Sequence, residues 1–171
     1  MRNWVTLCLT ILALATTAAA ITMPPLTTSL LGSNDQLELR LGYRPQAGRS
    51  EIGVDGLWLD GLEGVAEGYG LAAYATYDVV SGLDLPWTMP FGMGNGTLKA
   101  DGYLGARIGM VSPRDGDFDP DATAALLAGI RFGGPKVQVG VEFQQNLTKD
   151  LWSSLADLPE SRVVACVGYH F

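Results

Sequence analysis

The chain offers few groups for covalent chemistry. Its one histidine, His170, stands beside the C-terminal residue. A histidine base needs a nucleophile within hydrogen-bond reach, and the sequence brings none to it. Cys166 shares the strand phase of His170 and reads as a small packing residue. A third feature is the run DGDFDPD, which spaces Asp115, Asp117, Asp119 and Asp121 two apart. Dense carboxylates suit Ca²⁺. An EF-hand needs Gly at the sixth loop position and Glu at the twelfth, where this run has Pro120 and Leu126. These four aspartates are therefore weak candidates for a divalent ion, and a solvated acidic loop is the expected state. No catalytic residue, resident metal or cofactor is expected.

A larger set of charges recurs at alternate positions within apolar stretches. It comprises Glu38, Arg40, Glu51, Asp55, Lys99, Asp101, Arg107, Arg131 and Glu142. Both signs are mixed. On a soluble protein this set would be a hydrated surface. Inside a narrow barrel it would pair across the lumen, because an unpaired charge in a confined space is costly.

The elements that carry these charges are strands. In QLELRLGYR, Leu37, Leu39, Leu41 and Tyr43 fall on one face, with Glu38, Arg40 and Arg44 on the other. Period two with this contrast is the signature of a half-buried strand. The same pattern recurs in SEIGVDGLWL, AEGYGLAAYATYDV, TLKADGYLGARIGMV, TAALLAGIRF, KVQVGVEFQQ and Arg162 to Phe171. Asp84 to Met93 reads as a further, weaker strand, since Pro86 and Pro90 each lack a ladder donor. Asn95-Gly96 reads as the hairpin turn that follows it. The total is eight strands, and almost no segment has helical periodicity.

Composition agrees with this reading. Charged residues make up 17% of 171 residues and glycine is frequent, which suits curved strands in close contact. Residues 1–20 read as a secretory signal peptide, with Arg2, an apolar core from Val5 to Ala15, and Ala18 to Ala20 as a small-residue cleavage site. Residues 21–35 read as an irregular lead-in, and residues 36–171 as one barrel domain. The leader takes one of 11 basic residues and none of 18 acidic ones. The remainder is strongly acidic, which argues against a nucleic-acid partner. With Cys8 removed in the leader, no internal disulfide can form.

Alternation alone fits either a soluble barrel with an apolar core or a membrane barrel with a polar lumen. An even count of eight, strands of about ten residues and aromatics near strand ends all match bilayer-spanning barrels. With the N-terminus on the inner side, the long polar connections 112–121 and 146–161 fall outside. The turns DGLEG, GNGT and GGP fall inside. The expected fold is therefore all-β: an eight-stranded antiparallel up-and-down transmembrane β-barrel.

The last strand ends VVACVGYHF. Its pattern of Val163, Ala165, Val167, Tyr169 and a final Phe171 resembles the terminal strand of bacterial outer-membrane β-barrels. The domain as a whole resembles small barrels of the OmpA/opacity-protein type. That resemblance implies an outer-membrane location and contact with lipid and lipopolysaccharide. It also implies that the last strand is an assembly signal read by the outer-membrane assembly machinery. Some barrels of this kind are lipid A deacylases or palmitoyltransferases with a His–Ser group near the outer face. His170 lies at the opposite end, so the expected role is a non-enzymatic, monomeric anchor that presents loops. A narrow porin-like channel, a lipid A-modifying enzyme and a secreted soluble barrel for an apolar ligand are the alternatives.

Overall fold

The computed structural model describes residues 25–33, 36–45, 48–59, 68–88, 95–113, 120–134, 136–147 and 160–171. The leader lies outside these residues. Eight strands run in chain order: β1 (Leu26–Gly32), β2 (Gln36–Tyr43), β3 (Ser50–Leu59), β4 (Gly68–Thr88), β5 (Asn95–Pro113), β6 (Asp121–Gly133), β7 (Val137–Asn146) and β8 (Ser161–His170). Each pairs antiparallel with its sequence neighbour, and β1 pairs with β8 to close the barrel. Phe171 N–H donates to the Leu26 carbonyl at 3.0 Å, so the start of β1 and the C-terminal residue meet at one end. This is the termini end, and the opposite one is the loop end.

The side chains are distributed inside out. Along β2, Gln36, Glu38 and Arg40 are buried while Leu39, Leu41 and Tyr43 are exposed. The same phase holds around the ring, with Val54, Leu71, Leu104, Ile108, Leu126, Ile130, Val141 and Val167 all outward and exposed. Tyr43 and Tyr77 ring this belt toward the termini end, and Trp58, Tyr69 and Phe143 toward the loop end. An apolar outside around a charged inside is the arrangement of a transmembrane barrel.

The count of eight is reached by different strands than the sequence suggests. Residues 26–32 lie within the expected irregular lead-in, yet they form β1. Their sequence LTTSLLG lacks contrast between its faces, and the pairing with both β2 and β8 imposes the strand. Of the expected strand Asp84 to Met93, the first five residues continue β4, which runs for 21 residues, and residues 89–93 lie outside the described residues. Pro86 is tolerated because β4 there has only β5 for a neighbour among the described residues. Asn95 and Gly96 are no turn, since they pair with Thr88 and Trp87 in the ladder. One strand gained and one lost leave the number unchanged.

The gain of β1 reverses the sides of two connections. The DGLEG segment joins Leu59 to Gly68, strand ends that lie at the loop end with those of the long connections. The PQAGRS turn moves to the termini end.

Candidate functional site in the barrel lumen

Three arginines cross the lumen, each reaching a carboxylate three strands away around the ring. Arg40 on β2 donates to Glu142 on β7, Nη1 to Oε2 at 2.8 Å and Nη2 to Oε1 at 3.2 Å. It also donates to its neighbour Asp55 on β3, Nε to Oδ1 at 2.9 Å and Nη2 to Oδ2 at 3.2 Å. Its guanidinium stacks 4.5 Å from the Tyr74 ring centre. Planar, bidentate contact on two sides is what guanidinium geometry allows and an ammonium cannot reproduce.

Arg107 on β5 donates to Glu38 Oε1 on β2 at 2.7 Å. Arg131 on β6 donates to Glu51 Oε2 on β3 at 2.9 Å and lies 4.1 Å from the Tyr103 ring centre. Neutral groups complete the carboxylates. Glu142 also accepts from Tyr103 Oη at 2.7 Å and Gln144 Nε2 at 2.8 Å. Glu51 accepts from Tyr74 Oη at 2.7 Å. Gln144 bonds to Glu38 as well, and its own oxygen accepts from Arg162 Nε at 2.7 Å. Arg44 pairs with Asp78 near the termini end. Glu38, Asp55 and Glu142 are 0% exposed, and Arg40 is 4% exposed. A buried charge is tolerable only when its hydrogen-bonding capacity is met in this way.

Aliphatic groups fill the spaces beside the charges. Leu57, Leu59, Ala72 and Val111 cluster toward the loop end. Leu31, Val164 and Cys166 form a second cluster, and Tyr74, Ala125 and Leu127 a third.

Of the charges expected in a lumen network, Glu38, Arg40, Glu51, Asp55, Arg107, Arg131 and Glu142 come together. Two do not. Lys99 is exposed at the rim of the termini end. Asp101 accepts a bond from Gly82 N–H at 2.7 Å, on the β4 extension. Lys99 lies beyond the level of the other charges, whereas Asp101 stands opposite Arg131 in the ladder and its carboxylate is taken by the Gly82 N–H.

The network also includes the charged Arg44, Asp78 and Arg162, and the neutral Gln36, Tyr74, Tyr103 and Gln144, which charge patterning passes over. Their strand phase was the available signal: Tyr74 alternates with Ala72 and Thr76, and Tyr103 with Asp101 and Gly105, on the lumen face.

The Tyr103 ring occupies space that only glycine leaves at position 129. A Cβ there would lie 2.4 Å from ring atoms of Tyr103. Gly129→Val must displace that ring from both Glu142 and Arg131. The expected cost is about 1–3 kcal/mol, read as a lower urea midpoint in detergent micelles; an unchanged midpoint would show that the ring position is unimportant.

His170 Nε2 lies 3.2 Å from Gln138 Oε1 at the termini end, and Cys166 is buried against Leu31 and Val164. Val163, Ala165 and Val167 face outward and exposed. Tyr169 shares their phase but is only 7% exposed, with its ring edge-on to Phe171 at 5.0 Å. Asp115, Asp117 and Asp119 lie outside the described residues, and Asp121 opens β6. No group of His, Cys, Asp or Glu able to hold a metal occurs among the described residues.

No protein-family model and no curated protein matches the chain. Among solved structures the chain is similar to Neisserial surface protein A, at 17% identity, with 85% of this chain and 93% of that one covered and a TM-score of 0.47.

Proposed function

We propose that the protein is a non-enzymatic outer-membrane anchor whose lumen is closed by its ion-pair network and whose loop end is held toward the outside. The network carries this reading. Arg40, Arg107 and Arg131 each tie together strands three positions apart, and they do so with fully buried carboxylates. An eight-stranded barrel is only wide enough for side chains to fill it.

The charge balance supports closure too. Within the lumen Arg40, Arg44, Arg107, Arg131 and Arg162 match Glu38, Glu51, Asp55, Asp78 and Glu142 in number. A selectivity filter would present one sign of charge to a passing ion. Here both signs are consumed by each other. The apolar belt with aromatics at its two ends supports the bilayer as the surrounding medium. Lipid and lipopolysaccharide contacts, recognition of the last strand by the assembly machinery and a monomeric state belong to the same proposal.

Planar-bilayer recording tests it. The expected result is no conductance steps from the purified barrel. Regular steps that vanish on changing Arg107 or Glu142 would replace the anchor with a narrow channel.

A further inference from the structure

The β4–β5 ribbon does not stop where the barrel wall does. β3 ends its pairing at Tyr77, but β4 continues to Thr88, paired only with β5 among the described residues. This extension begins at the level of Tyr77, on the termini-end side of the apolar belt; β6 backs it through β5 as far as Lys99, and past that level the ribbon stands alone among the described residues. Val79, Val80 and Leu83 are about half exposed on it, and the bulge sets Val80 opposite Gly102 and Leu83 opposite Ala100, so these apolar groups continue the outward face past the belt. Such a surface is costly to leave in water and indicates an occupant.

Two occupants are disfavoured by the backbone. A partner adding a strand needs a regular bare edge. The ladder here shifts register between Asp78 and Val80 and again between Val80 and Leu83. Gly82 sits at φ 66°, a left-handed conformation suited to glycine, and Asp101 already takes its N–H. Pro86 has no N–H to give. Bulges and proline are the devices that blunt edges against pairing. The hydrocarbon core is disfavoured as well, because a bare edge leaves backbone groups unsatisfied there.

The region between hydrocarbon and water meets both demands. Apolar side chains enter it while the edge stays hydrated. The charges around the ribbon say which surface it fits. Arg49, Lys99 and Lys136 are exposed at the same end, and Asp84, opposite Lys99, is the one acidic group exposed on the ribbon among the described residues. Basic side chains beside an apolar wedge complement an anionic lipid surface.

We infer that the β4–β5 extension and its basic rim form a docking surface for the anionic phospholipid headgroups of the leaflet at the termini end. The inference rests on the membrane reading and adds a lipid preference and a fixed leaflet to it.

Fluorescence quenching separates the two. An environment-sensitive label is placed at Leu83→Cys or, as a control in the belt, at Leu41→Cys, both in a Cys8→Ala/Cys166→Ala background. The barrels are reconstituted in vesicles of phosphatidylcholine alone or mixed with phosphatidylglycerol, each with brominated acyl chains as quencher. Quenching at 41 in both vesicles, with quenching at 83 strongly enhanced by phosphatidylglycerol, supports the inference. Arg49→Gln, Lys99→Gln and Lys136→Gln should each lower the docked population by roughly fivefold without changing the signal at 41. A signal at 83 that ignores phosphatidylglycerol, or stays unquenched in both vesicles while 41 is quenched, overturns it. An unquenched label at 41 overturns the membrane reading itself.

Discussion

Arg40→Ala is expected to destabilise the barrel by about 3–5 kcal/mol, the cost of breaking a buried charge cluster from one side. The substitution leaves Glu142 and Asp55, both with no solvent exposure, without their shared cation. Glu142 keeps Tyr103 and Gln144 as donors, so part of its hydrogen bonding survives while its charge does not. The cost therefore comes from uncompensated charge. Neutralising the partners tests this directly. Arg40→Met combined with Asp55→Asn and Glu142→Gln removes both signs and should recover most of the loss, since uncharged groups of similar volume often replace a buried ion cluster without penalty. Arg40→Lys should recover only part, because an ammonium cannot serve two carboxylates in the bidentate geometry seen here. Urea unfolding in detergent micelles, followed by tryptophan fluorescence and by gel migration, measures the series. If the single and triple variants were equally unstable, the loss would be one of packing, and the charge network would not be what holds the lumen closed.

Val54→Arg carries the second largest effect, about 2–4 kcal/mol near the bilayer midplane. Val54 points outward in mid-belt, paired with Leu41 and Ala73, and is 46% exposed. On a barrel surrounded by water, a charge at so exposed a site would cost little. Lipid makes it expensive because the guanidinium loses its hydration. Depth provides the control. Ser50 also faces outward but lies at the start of β3, opposite Tyr77, beside the aromatic ring of the termini end. Ser50→Arg should cost about 0–1 kcal/mol. Reversible unfolding from phospholipid vesicles reads both variants. Equal, near-zero costs at the two positions would count against a membrane-embedded belt.

Most strands and nearly all side-chain directions were legible in the chain, because period two assigns faces before any partner is known. Glu38 and Arg40 had to share a face opposite Leu39 and Leu41 wherever β2 was placed. The failures occurred where local pattern is weak and closure decides. Leu26 to Gly32 has threonine and leucine on both faces and no contrast to read. It becomes a strand because β2 and β8 each leave an edge that only it can satisfy. Pro86 signalled a break, but a proline is disruptive only where a strand has neighbours on both sides. Asn95-Gly96 signalled a turn, but both residues lie in the ladder, opposite Thr88 and Trp87.

For the lumen, the sequence by itself determined which charges share one face of the wall, and that a lumen on that face would require them to find partners there. Arg40, Arg107, Arg131, Glu38, Glu51, Asp55 and Glu142 were set by strand phase alone. Only the tertiary structure decided who pairs with whom. Contacts across a barrel depend on strand order, register and tilt, which bring Arg40 to a residue 102 positions away and leave Lys99 at the rim. Strand phase is a property of each backbone separately. Partnership across the lumen is a property of the closed ring, and it exists only once β1 has joined β8.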